Sequence, residues 1–241
     1  MEPYIFLDID GTVSSSIHQI DDAVAAYLSD LSFKGYLLVF VTGRSYQWAE
    51  RALSFLKTPY VLAVQNGAVI KSMPKEKIIS LSYIPKEWLK QINLVSDQYV
   101  VYTGEENHFR CYYLADTTEH EKELLLNRAK AIGEEWISLQ SFDELPVDAF
   151  PAFKFFGDVR SLQIVSAKIR SSLNISIPVI LDPVLKGRAV AQGTLTNKGS
   201  VVDVIKNLYG NNTVIAAGDD MNDFEMLQKA DIKIVIETAP K

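Results

Sequence analysis

FLDIDGTVSS, residues 6–15, sets two carboxylates, Asp8 and Asp10, directly after the apolar run Tyr4-Ile5-Phe6-Leu7 and directly before Gly11-Thr12. An apolar run of this length that stops at a turn glycine reads as a buried strand entering a loop. Two acids at its end are open to three uses: a solvated strand end, a metal clamp, or a nucleophile with an acid/base partner. Three further runs end in the same way. LLVFV (37–41) leads into Thr42-Gly43-Arg44, VLAV (61–64) into Gln65-Asn66-Gly67, and VIAA (214–217) into Gly218-Asp219-Asp220-Met221-Asn222-Asp223.

Helical spacing separates these runs. Val24, Tyr27, Leu28 and Leu31 recur at i, i+3, i+4 and i+7 behind Asp21, and Trp48, Ala52, Phe55 and Leu56 follow Ser45. Val201, Val204, Ile205 and Leu208 repeat the pattern after Lys198, which stands in Thr196-Asn197-Lys198-Gly199. Strands alternating with amphipathic helices predict an α/β fold, a Rossmann-like parallel sheet covered on both faces, with 232–236 (IKIVI) as a further buried strand. In such a sheet the strand ends share one edge, where ligands bind. Residues 74–192 break this rhythm with a hairpin around 103–107, a charged helix near 118–132, a strand at 152–156, a helix carrying Leu162, Val165, Ile169 and Leu173, and a strand ending at 181–183. This predicts a discontinuous core domain, 1–73 with 193–241, and an inserted α+β module, 74–192.

The 241-residue chain carries 24 basic and 30 acidic residues, a net charge of −6, which offers no basic footprint for nucleic acid or an anionic membrane. No apolar run is long enough to span a bilayer, and MEPYIFLDIDG lacks a basic stretch followed by a long apolar run, so no secretory signal is expected and the expected location is cytoplasmic. Cys111, the single cysteine, excludes an intramolecular disulfide and a cysteine-rich metal site. His18, His108 and His120 lack metal-ligand spacing and are expected at the surface.

Carboxylates gathered at one sheet edge suit a hard cation such as Mg2+. A threonine hydroxyl, glycine N–H groups and a lysine suit phosphoryl oxygens. Together they describe phosphoryl transfer, in which one carboxylate attacks phosphorus and a second serves as acid and base.

Taken in this order, the motifs DIDGT (8–12), TGR (42–44), QNGA (65–68), TNKG (196–199) and GDDMND (218–223) resemble the haloacid dehalogenase superfamily of phosphatases, in particular its Cof-type members with a large α/β cap. The resemblance implies Asp8 as nucleophile, Asp10 as acid and base, and Lys198 as the cation that neutralises phosphate and nucleophile. It implies Thr42 and Gly43 at the phosphoryl group, Asn66 and Asn222 in support, and Arg44 either structural or touching substrate. Mg2+ would be held by the Asp8 carboxylate, the Asp10 main-chain carbonyl and Asp219, with Asp223 orienting the shell. The expected partner is a small phosphorylated metabolite of sugar-phosphate type, and the expected assembly a monomer or homodimer. Cap residues Arg110, Tyr112, Lys154, Lys186 and Arg188 are candidates for substrate contact. The chain departs from the pattern at Glu237-Thr238, where the superfamily usually has Gly-Asn. Two other readings stay open: a phosphomutase of the phosphomannomutase type, and a non-catalytic protein that binds a phosphate ligand.

Overall fold

The computed structural model describes residues 3–175 and 177–237. The chain divides into two compact units, one built from the chain up to Ser82 and from Thr196 onward, the other from Tyr83–Leu195. The expected junctions near 74 and 192 fall earlier than this division. The antiparallel strands Val69–Met73 and Lys77–Leu81 extend the first unit's sheet and carry it to Ser82.

The first unit is a seven-stranded sheet in the order Ile232–Val235, Val214–Gly218, Tyr4–Leu7, Leu37–Val41, Tyr60–Val64, Val69–Met73, Lys77–Leu81. Neighbours are parallel as far as Tyr60–Val64 and antiparallel beyond it. Tyr4–Leu7 is the strand at which the order reverses, since the chain continues to Leu37–Val41 on one side and to Val214–Gly218 on the other. Ligand crevices form at such a switch point, beyond the strands' carboxyl ends. The register is level, with Leu7 opposite both Phe40 and Ala217, so the loops after these strands emerge side by side. Phe6, Val39, Val61 and Ala216 meet Val201, Val202 and Ile205 of helix Lys198–Tyr209 in one buried core.

Local differences have simple causes. Helix Asp22–Phe33 buries Ala25 and Leu28 but leaves Tyr27 64% exposed, so its apolar stripe is narrower than the spacing suggests. The helix after Ser45 ends at Ala52, and Phe55 lies beyond it, largely exposed. The expected buried strand at 232–236 is instead an edge strand, Ile232–Val235, exposed at every position, and among the described residues only Val214–Gly218 pairs with it.

The second unit is a six-stranded sheet in the order Val179–Leu181, Ala189–Gly193, Ala152–Gly157, Val100–Tyr102, Cys111–Leu114, Trp136–Leu139. Helices Glu119–Ala131 and Val159–Leu173 accompany it, close to the expected positions. Tyr99, Phe153, Phe155, Leu162 and Ile169 form its own core, and Tyr112 belongs to that core rather than to a surface open to substrate. Cys111 is buried on its strand, and the three histidines are exposed. Among the described residues no helix is long and apolar enough to cross a membrane.

Candidate active site

The loops at the sheet's switch point bring the sequence motifs together within the first unit. Asp8 follows the Tyr4–Leu7 strand and is buried. Its Oδ1 accepts a hydrogen bond from Lys198 Nζ at 2.5 Å, and the same ammonium donates to Asp223 Oδ1 at 2.6 Å. Lys198 is the first residue of its helix. Asn197 caps that helix by accepting from Ser200 N, and Ser200 Oγ reciprocates toward the Asn197 backbone. This capping box fixes the helix start and so aims the lysine.

Asp223 is fully engaged. Beyond Lys198, its Oδ2 accepts the backbone N–H groups of Asp219 and Asp220 at 3.1 and 3.0 Å, shaping the loop that presents Asp219. Thr12 Oγ1 donates to Asp219 Oδ1 at 3.3 Å, a contact that sequence reading missed although Thr12 lies inside the first motif. Gly11 has φ +75°, and a Cβ there would stand 2.0 Å from Asp219 Oδ2. The left-handed backbone here favours glycine, and a Cβ would push the Asp219 carboxylate aside.

Asp8, Asp219 and Asp223 can each bring one carboxylate oxygen within 4.8 Å of the others. Three hard oxygen donors at this spacing fit Mg2+, which favours carboxylates and retains waters. The Asp10 carboxylate is not part of this triad. Arg44 Nε donates to Asp10 Oδ2 at 2.9 Å and Nη2 to Asp10 Oδ1 at 2.6 Å, a two-bond fork. Arg44, expected as either structural or touching substrate, makes this fork to Asp10.

Thr42 is fully buried, and its Oγ1 accepts the Arg44 N–H at 3.1 Å. Backbone bonds from Gln65 N to Arg44 O and from Asn66 N to Thr42 O stitch the second and third motifs together. Gln65, Asn66 and Gly67 all take positive φ, at 50°, 54° and 93°, which turns the chain tightly at the strand end. The Asn66 and Asn222 Oδ1 atoms are buried without a hydrogen-bond partner among the described residues. Orphaned buried carboxamides of this kind await a donor, such as water or a substrate hydroxyl. Glu237 is exposed at its strand end, and Thr238 lies outside the described residues.

The electrostatics follow from this crowding. Burial pushes the Asp8 carboxyl well above the usual range, opposed by the Lys198 ammonium and reinforced by the Asp223 and Asp10 carboxylates. Asp219 is raised as well, first by burial and then by Asp223. Burial works against the Lys198 cation, but Asp223 and Asp8 more than offset it and hold the ammonium protonated.

The chain resembles known proteins in sequence and in fold. The model of the haloacid dehalogenase-like hydrolases matches residues 5–241. The chain belongs to this family. Like other haloacid dehalogenase-like chains it pairs an α/β core with an inserted unit, as the motif resemblance implies. A Haemophilus influenzae protein that carries a provisional phosphatase name is 24% identical over 98% of this chain and 87% of its own length. A solved haloacid dehalogenase-like hydrolase from B. subtilis superposes with a TM-score of 0.78 at 19% identity, covering 99% of this chain and 90% of its own. A solved sugar phosphatase of haloacid dehalogenase subclass IIB gives 0.71 at 20% identity, covering 99% and 89%.

Proposed function

We propose that the protein is a Mg2+-dependent phosphatase that hydrolyses a small phosphorylated metabolite of sugar-phosphate type through a phosphoenzyme on Asp8. The observation that carries this reading is the ammonium of Lys198 bonded at once to Asp8 and Asp223, beside the Asp219 carboxylate. The subclass IIB sugar phosphatase of the same fold supports the substrate class.

An Asp8 carboxylate oxygen attacks phosphorus, the bond from phosphorus to the leaving oxygen breaks, and Asp10 gives its proton to the departing alcohol. Asp10 then takes a proton from water, the water oxygen attacks phosphorus, and the Asp8–phosphorus bond breaks to release phosphate. Lys198 offsets negative charge on the nucleophile and on the transferring group. Thr42 and Gly43 would receive the phosphoryl oxygens. Mg2+, held by Asp8, Asp219 and the Asp10 carbonyl with Asp223 orienting Asp219, would supply further charge neutralisation.

A phosphate-release screen over phosphorylated metabolites with Mg2+ tests this reading, with Asp8→Asn as the blank. We expect release by the native protein and a loss of more than about 1,000-fold in the variant, since a covalent route ends without its nucleophile. Equal release by both would overturn the reading. An isomeric sugar phosphate with little free phosphate would identify a mutase instead.

A further inference from the structure

Arg44 is among the most deeply buried charged residues of the first unit, 1% exposed, and its guanidinium hydrogen-bonds the loop that carries Asp10. Nε and Nη2 grip both oxygens of Asp10, and Nη2 also donates to the Ser16 carbonyl at 3.3 Å. The guanidinium carbon lies 4.2 Å from the centre of the Trp48 ring. Trp48 in turn donates from Nε1 to the Ile17 carbonyl at 2.6 Å. Ser14 Oγ lies within hydrogen-bond distance of the carbonyls of Ser16 and Gln19, to either of which its one proton can be donated, closing the same loop. Arg44, just before helix Tyr46–Ala52, and Trp48 within that helix thus set a flat cation against a flat ring, both tied to the segment that follows Asp10.

We infer that Arg44 is a positioning residue that holds the plane of the Asp10 carboxylate, so that proton transfer to and from the leaving oxygen occurs in a fixed geometry. The inference rests on the phosphatase reading above, because it needs Asp10 as acid and base. A guanidinium fork fixes a carboxylate in plane and rotation, whereas an ammonium fixes only one distance. The face-on contact with Trp48 removes the guanidinium's own freedom. A two-bond fork engages one lone pair on each carboxylate oxygen, and each oxygen has a second with which to hold the proton. Arg44 Nη1 is buried without a hydrogen-bond partner among the described residues, so a direct phosphate contact is the competing role that the test must separate.

The two roles differ in their dependence on the leaving group. A phenolate such as p-nitrophenolate leaves without a proton, whereas a sugar alkoxide does not. With Arg44→Lys, which keeps the charge but loses the fork, kcat/KM on an alkyl or sugar phosphate, which reports phosphoenzyme formation and not the water step shared by all substrates, is expected to fall about 100-fold. The fall on p-nitrophenyl phosphate is expected to stay within about 10-fold, and inhibition by inorganic phosphate to stay close to native. Arg44→Met is expected to behave like the lysine variant or worse, and thermal unfolding of both variants checks that the fold persists. A similar loss on both substrates, with weakened phosphate inhibition, would make Arg44 a phosphate ligand and overturn the inference. Native rates on both substrates would overturn it as well. If Asp8→Asn is inactive while Arg44→Lys treats both substrates alike, the positioning role alone fails. If Asp8→Asn retains the native rate, the phosphatase reading falls and this role falls with it.

Discussion

Asp8 and Asp219 are carboxylates held above their ordinary pKa by burial and by each other's acidic neighbours. A folded-state pKa above the unfolded one means that the folded protein binds more protons. Without a cation, these two groups therefore lower stability as pH rises from the unfolded carboxylate value through their raised values. A divalent cation requires the ionised forms, so its stabilisation grows over the same interval. Mg2+ is expected to raise Tm by several degrees at about pH 7.5 and by much less at about pH 5, as measured by differential scanning fluorimetry. An equal rise at both values would show that the cation binds away from Asp8 and Asp219. Lys198 contributes with the opposite sign. Its raised pKa gives stability that is complete below the unfolded lysine value and is lost only as pH climbs through the folded one.

At the scale of elements, the strand Ala152–Gly157 shows how a side chain can work against the sheet that holds it. Phe153 and Phe155 enter the second unit's core, while Lys154 lies buried 4.9 Å from the Tyr102 ring centre. Burial, helped by nearby Arg128, lowers the Lys154 pKa to about 7, although Glu134 and Asp182 oppose it. Arg128 itself is balanced by Asp182 at 2.8 Å. A lysine whose folded pKa lies below the unfolded one binds fewer protons when folded, so its contribution to stability improves from about pH 7 to about pH 10. Lys154→Met is expected to remove that slope and to stabilise the protein at about pH 7 by about 1 kcal/mol or more, read from urea unfolding at the two pH values. A destabilised variant with an unchanged slope would mean that the ammonium is well compensated.

On the scale of the whole molecule, each unit encloses its own hydrophobic core, Phe6 and Val39 in one and Phe153 and Ile169 in the other. Two cores of this kind need not melt together. Calorimetry is expected to show a van't Hoff enthalpy below the calorimetric one, with Mg2+ shifting only the part that belongs to the first unit. A single transition displaced as a whole would show that the units unfold as one. Much of this architecture was legible in advance. The apolar runs that end in DIDGT, TGR, QNGA and GDDMND became the central strands, because short-range patterns of burial and turn chemistry survive folding unchanged. The edge strand Ile232–Val235 misled because apolar content reports what a residue tolerates, not which neighbours it receives. The sequence by itself therefore determined the strand-and-loop grammar, the family and the set of chemically able residues. Only the tertiary structure decided their pairings: Lys198 on Asp8 across 190 residues, Arg44 on Asp10, and Asp223 turned to support Asp219. Those contacts depend on sheet order and register, which bring distant loops to one edge and which no local stretch of sequence contains.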